Sequence, residues 1–189
     1  MPRKQTKKVP LISASAAILA AREKWQYRGQ TRPQFAVATT PEQESVWDFP
    51  RPPILEIVEN KLSAQINGQI VAETQRGCRV LETAGAPTYY FPPEDVLVPI
   101  TTSGSRSICE WKGVASSLSV QGVPDAAWRY EEMFPEFESI YMWVAFYPQR
   151  VDCFVGLERV KPQPGGYYGG WVTNGLAGPI KGEAGSSGW

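Results

Sequence analysis

Apolar and polar residues alternate along Leu62–Thr74 around Asn67-Gly68, which predicts a β-hairpin. A two-residue loop would pair Ile66 with Gln69 and mix the two faces. A three-residue loop, Ile66-Asn67-Gly68, pairs Gln65 with Gln69 and sets Leu62, Ala64, Ile70 and Ala72 on one face. That loop needs a type I turn closed by a left-handed residue, which Gly68 suits, so the longer loop with a bulge is expected. Other short β-branched or aromatic runs lie between turn signals: 54–59, 79–83, 88–91, 96–100, 107–111, 116–121, 126–130, 141–147 and 151–157. They predict a mostly-β chain of short antiparallel strands in one compact domain, a folded sheet or partly open barrel. Pro92–Asp95 reads as a turn or one helical turn, and Phe134–Ile140 as a short helix entered at Pro135. Ala14, Ile18, Ala21 and Trp25 recur at helical spacing behind Ser13 and Ser15, either of which can cap an N-terminal helix.

Composition sharpens this picture at both ends. Gly 17 and Pro 17 favour turns over long helices, and nine of the glycines fall within residues 164–189. There Tyr167, Tyr168, Trp171 and Ile180 provide surface to bury, so a Gly/aromatic coil laid across the sheet is expected. The net charge of +0 averages two unlike pieces. Residues 1–40 hold eight basic residues against Glu23 alone, giving +7, and residues 41–189 hold eleven basic and eighteen acidic, giving −7. The expected organisation is a basic extension to residue 40, a β body over 41–163 and the tail. The head suggests an anionic partner or docking on its own body. Val9–Ala21 also admits a targeting segment, although Ser13 and Ser15 interrupt its apolar core. No run is long enough to span a membrane.

His 0 removes His-based triads and imidazole acid–base chemistry. Cys78, Cys109 and Cys153 cannot all pair and show no C-x-x-C spacing, so neither a disulfide framework nor a metal centre is expected. A reducing, cytoplasmic setting is the simplest reading. In Cys109-Glu110-Trp111-Lys112-Gly113, Lys112 would favour the thiolate of Cys109, provided a turn or bulge near Gly113 brings the two to one face. The competing reading is an inert buried cysteine beside a solvated lysine. In Ser45–Pro53, prolines fix an extended backbone around Arg51, which would clamp a carboxylate or phosphate, or pair with an acidic body residue. Glu82 is a candidate partner for Arg51 or Lys112. Along Thr88–Phe91, Tyr89 and Phe91 fall on one face and Tyr90 on the other, so one face is core and the other free to line a pocket. No strand–GxGxxG–helix unit and no G-K-[ST] phosphate loop is present.

Five segments, Glu44–Pro53, Arg79–Val96, Cys109–Ala115, Val144–Asp152 and Pro162–Thr173, together resemble the family of domain of unknown function 427, and the Gly/aromatic tail resembles its cyanobacterial and plant branch. The resemblance implies a mostly-β fold, similar in broad architecture to the folded-sheet group that includes methionine sulfoxide reductase B. It brings no established activity. The family has been labelled nucleotidyltransferase, but Gly104-Ser105 is followed by no Asp-x-Asp pair, and two-metal phosphoryl transfer needs such carboxylates. The family pattern commonly carries Tyr at Phe49 and an aromatic near Ser117, so no phenol acts at either place here.

Two functions follow as expectations. The first is a small-molecule-binding domain, enzymatic or not, with a pocket for an anionic ligand. Cys109 and Lys112 are its candidate catalytic pair, and Arg51, Glu82, Tyr89, Tyr90 and Trp111 its candidate ligand-binding residues. No cofactor is identified. The second is a non-enzymatic interaction subunit whose head, residues 1–32, docks on an acidic protein. Nucleic-acid binding is disfavoured by the −7 body, and the oligomeric state is not written in the sequence.

Overall fold

A computed structural model describes residues 8–189. In chain order the elements are α1 (Ala16–Glu23), β1 (Glu44–Ser45), β2 (Ile54–Ile57), β3 (Leu62–Ile66), β4 (Gln69–Thr74), β5 (Cys78–Leu81), β6 (Thr88–Tyr90), β7 (Ile100–Cys109), β8 (Gly113–Val120) and β9 (Val123–Met133). They continue with β10 (Val144–Phe146), β11 (Asp152–Val155), β12 (Glu158–Arg159), β13 (Lys161–Pro162), β14 (Trp171–Val172) and β15 (Leu176–Ala177). Short 3-10 helices occupy Pro93–Asp95 and Pro135–Ile140, each entered at its proline. Among the described residues the chain is thus mostly β, and no barrel closes. One four-stranded sheet runs β10-β9-β8-β7, a second runs β12-β11-β3-β4, and a three-stranded sheet runs β2-β5-β6. These sheets are antiparallel throughout. No described helix is long and apolar enough to cross a membrane.

The main core lies between the two four-stranded sheets, where Leu62, Val71, Phe91, Leu118, Phe146 and Trp171 are almost completely buried. A second cluster gathers Tyr90, Trp111, Trp128, Tyr130 and Met133. Period two along β6 explains the split: Tyr89 and Phe91 belong to the first cluster and Tyr90 to the second. Tyr89 stacks on Trp171 with ring centroids 4.8 Å apart.

The hairpin at Asn67-Gly68 departs from expectation. Ile66 pairs with Gln69 across a two-residue loop, with φ of 51° at Asn67 and 77° at Gly68. Two positive φ values match the right-handed twist of the flanking strands, which a plain type I turn would splay. The faces do not mix, because the bulge sits in β4: Gln65 pairs with Ile70 and Ala64 with Ala72, leaving Val71 as the extra residue. Val71 is buried in place of Ile70, which is exposed. The strand expected at 96–100 is likewise absent over most of its length. Val96 makes one isolated bridge to Ala72, and the strand proper starts at Ile100. It continues to Cys109 through the exposed polar run Thr101–Arg106, and Trp111 falls in the turn beyond it. As the outermost strand of its sheet, β7 is solvated on most of its surface and carries no apolar alternation to read.

The N-terminal helix and the C-terminal tail both pack onto this body. Ser15 caps α1, its hydroxyl accepting from the Ile18 amide at 3.3 Å. The stripe Ala14, Ile18, Ala21 and Trp25 is half-buried, as its spacing requires. Arg3, Lys4 and Lys7 of the head lie outside the described residues. The tail is more regular than a coil: β14 pairs with β13, and β15 runs parallel to β1. Trp171 is buried with its Nε1 donating to Phe146 O at 3.0 Å, whereas Tyr167 is exposed.

Candidate functional site

The local event that builds the site is the turn after β7. Cys109 pairs with Gly113, so Glu110, Trp111 and Lys112 form a three-residue loop. The turn brings Lys112 back over Cys109, which a continuing strand would not do. Gly113 is required there: its φ is +126°, and an added Cβ would stand 2.1 Å from Glu132 O. The N-terminal segment braces the loop. Arg22 Nε donates to Glu110 O at 2.7 Å, Trp25 Nε1 donates to Glu110 Oε1 at 3.1 Å, and the Arg22 guanidinium lies over the Trp111 and Phe134 rings.

Beside the loop opens a cleft of about 910 Å³. Cys109, Lys112, Tyr90 and Tyr130 line it together, Trp128 and Tyr147 form an aromatic wall with centroids 4.3 Å apart, and Gly166–Gly170 make a rim. The rim needs glycine: a Cβ on Gly169 would strike the Trp128 ring at 2.1 Å. Cations outnumber acids on the lining. Of these cations Arg51 pairs with Glu82 and Arg106 with Glu132. Lys24, Lys112, Arg150 and Lys181 have no Asp or Glu carboxylate within 4.0 Å among the described residues.

Lys112 is buried, with its Nζ 6.0 Å from the Tyr130 ring centroid and 5.8 Å from that of Phe137. Burial alone would pull its pKa down, but Cys109, Tyr90 and Glu82 outweigh burial and hold it above the ordinary lysine value. Tyr90 and Tyr130 are pushed upward by burial, so both remain hydroxyl donors. The Tyr90 hydroxyl has no hydrogen-bond partner. Lys181 sits 3.3 Å from the Trp25 ring centroid, and burial and the nearby Arg51 lower it to about 8. Among the described residues no cluster of Cys, Asp and Glu is arranged to hold a metal ion.

Of the residues singled out in the sequence, Cys109, Lys112, Arg51, Glu82 and Tyr90 line the cleft, and Tyr89 and Trp111 do not. Tyr89 is core, and Trp111 packs in the second cluster under Arg22. Arg51 is spent on the chain itself. Its guanidinium donates to Glu82 at 3.1 Å, Tyr27 O at 2.8 Å, Trp189 O at 3.3 Å and Thr83 O at 2.8 Å, and stacks on Trp25. These four bonds leave one of the five guanidinium N–H groups free. The backbone bends at Arg51-Pro52 instead of running extended. Sequence reading missed Trp128 and Tyr130, although their i, i+2 spacing on β9 carried a signal. It also missed Lys24, Trp25, Arg150 and Lys181, which only tertiary packing brings to the cleft.

One family model matches the chain, over residues 54–156 and so more than half its length; it is described as domain of unknown function (DUF427). The matched span includes Glu82, Tyr90, Cys109 and Lys112 but not Arg51 or Lys181. No curated protein matches.

Proposed function

The chain belongs to the DUF427 family, and from that premise we propose that the cleft binds a small, flat anionic molecule. One observation carries the reading. The Lys112 ammonium is buried on the cleft floor, the carboxylate nearest in effect, Glu82, is spent on Arg51, and the Tyr90 hydroxyl beside it is unpartnered. A buried donor without an acceptor is costly, and a buried ammonium with no carboxylate within reach lacks a counter-ion. An anion resting on Lys112 Nζ and Tyr90 Oη relieves both. The Trp128–Tyr147 wall gives such a molecule a flat apolar face, and Lys24, Arg150 and Lys181 keep the surrounding potential positive.

Calorimetry with 4-bromobenzenesulfonate and its neutral isostere 4-bromobenzenesulfonamide tests the proposal. The sulfonate is expected to bind at one site per chain, about tenfold or more tighter than the sulfonamide, as a charge-assisted hydrogen bond implies. Lys112→Met should erase that preference. Equal affinities, or no saturable sulfonate binding, would reject the reading.

A further inference from the structure

We propose that Cys109 is a covalent nucleophile of this cleft, reacting with small anionic electrophiles that Lys112 holds in place. The inference rests on the anion-binding reading above. Cys109 ends β7, is half-buried and lines the cleft. Two neighbours point to a bound partner independently of the cysteine: Lys112, buried without a carboxylate of its own, and Tyr90, fully buried with an orphaned hydroxyl. Tyr130 completes the cluster as a buried hydroxyl on the same cleft lining as Cys109. The other two cysteines are buried outside the cleft, and burial pushes Cys78 up to about 12 and Cys153 well above the ordinary thiol value.

The substrate class follows from this placement. An acid group on Lys112 and Tyr90 brings a carbon one or two bonds away to Cys109 Sγ, so the substrate is a short acid with a leaving group on that carbon. The S–C bond forms as the bond to the leaving group breaks, and the leaving group departs with the electron pair. Tyr130 gives its hydroxyl proton to the departing group and recovers the proton from the thiol. The products are a thioether on Cys109 and the protonated leaving group, and no oxidant or reductant enters.

Iodoacetate and iodoacetamide differ in charge and share the same reacting carbon, so their rates at each cysteine of the intact protein test the proposal, read by peptide mass spectrometry. A thiolate without help repels the anionic reagent and reacts no faster with it than with the neutral one. Cys109 is expected to react about tenfold faster with iodoacetate, saturably, with Cys78 and Cys153 unlabelled in the folded protein. Saturating 4-bromobenzenesulfonate should protect it. Lys112→Met should reverse the preference, and Tyr90→Phe should weaken it, which keeps the test usable if the lysine variant does not fold. Faster reaction with iodoacetamide, while the sulfonate still binds, would overturn the nucleophile alone. No preference together with no sulfonate binding would overturn the cleft reading and this inference with it.

Discussion

At the scale of single residues, Gly113 decides whether the site exists. A side chain at φ +126° is strained, and its Cβ would meet Glu132 O in the neighbouring strand, whose position is fixed by the β8–β9 ladder. Gly113→Ala is therefore expected to cost about 2–4 kcal/mol, measured as a lower urea midpoint at unchanged m-value. A midpoint equal to wild type would contradict the positive φ and the close approach of Glu132 at Gly113. Residue-level legibility follows the same local logic. Period two separates Tyr90 from Tyr89 and Phe91, so the sequence divides two faces but does not say which is core, and both tyrosines stand as ligand candidates until packing buries Tyr89. The turn that joins Lys112 to Cys109 is legible only as a condition, because Gly113 permits a turn without compelling one. Of the fate of Arg51, the ion pair with Glu82 is legible as one of two readings, and its carbonyl acceptors Tyr27, Thr83 and Trp189 are not, being distant in sequence.

At the scale of elements, the loop Glu110–Lys112 and helix α1 support each other. Arg22 ties the last turn of α1 to the loop carbonyl and to Glu136, and covers two aromatic rings. Arg22→Ala removes a charged donor from a half-buried carbonyl, a loss of about 1.5–3 kcal/mol. Hydrogen exchange in the loop and in α1 is then expected to speed up by about tenfold or more, while the β3–β11 pair stays protected. Unchanged exchange in the loop would show that α1 does not brace it. Strand and helix positions were largely readable because short β-branched runs and a capped helical stripe write themselves locally. The exceptions have structural causes. An outermost strand such as β7 has no buried face to mark it, and the bulge at Val71 answers to packing between sheets, so the hairpin loop came out one residue shorter than alternation suggests.

At the scale of the whole molecule, the +7 head and −7 body meet within one chain. Arg22 pairs with Glu136 and Arg32 with Asp48, while Arg28 pairs with Glu23 inside the head. A surface for an acidic protein partner would have to draw on Lys8, Lys24 and the residues outside those described. The charge that bears on function is instead local: the body is acidic overall, yet the cleft it encloses is lined by more cations than acids. Lys24 and Trp25 from the head and Gly166–Gly170 and Lys181 from the tail complete this cleft around a floor supplied by the family-matched region. No pattern along the chain states that convergence. The most direct measurement of the central claim is a crystal soaked with 4-bromobenzenesulfonate, read from the anomalous signal of bromine. The expected result is one bromine site against the Trp128–Tyr147 wall, with the sulfonate hydrogen-bonded by Lys112 Nζ and Tyr90 Oη. Bromine sites only elsewhere on the molecule, or a sulfonate turned away from Lys112, would contradict it.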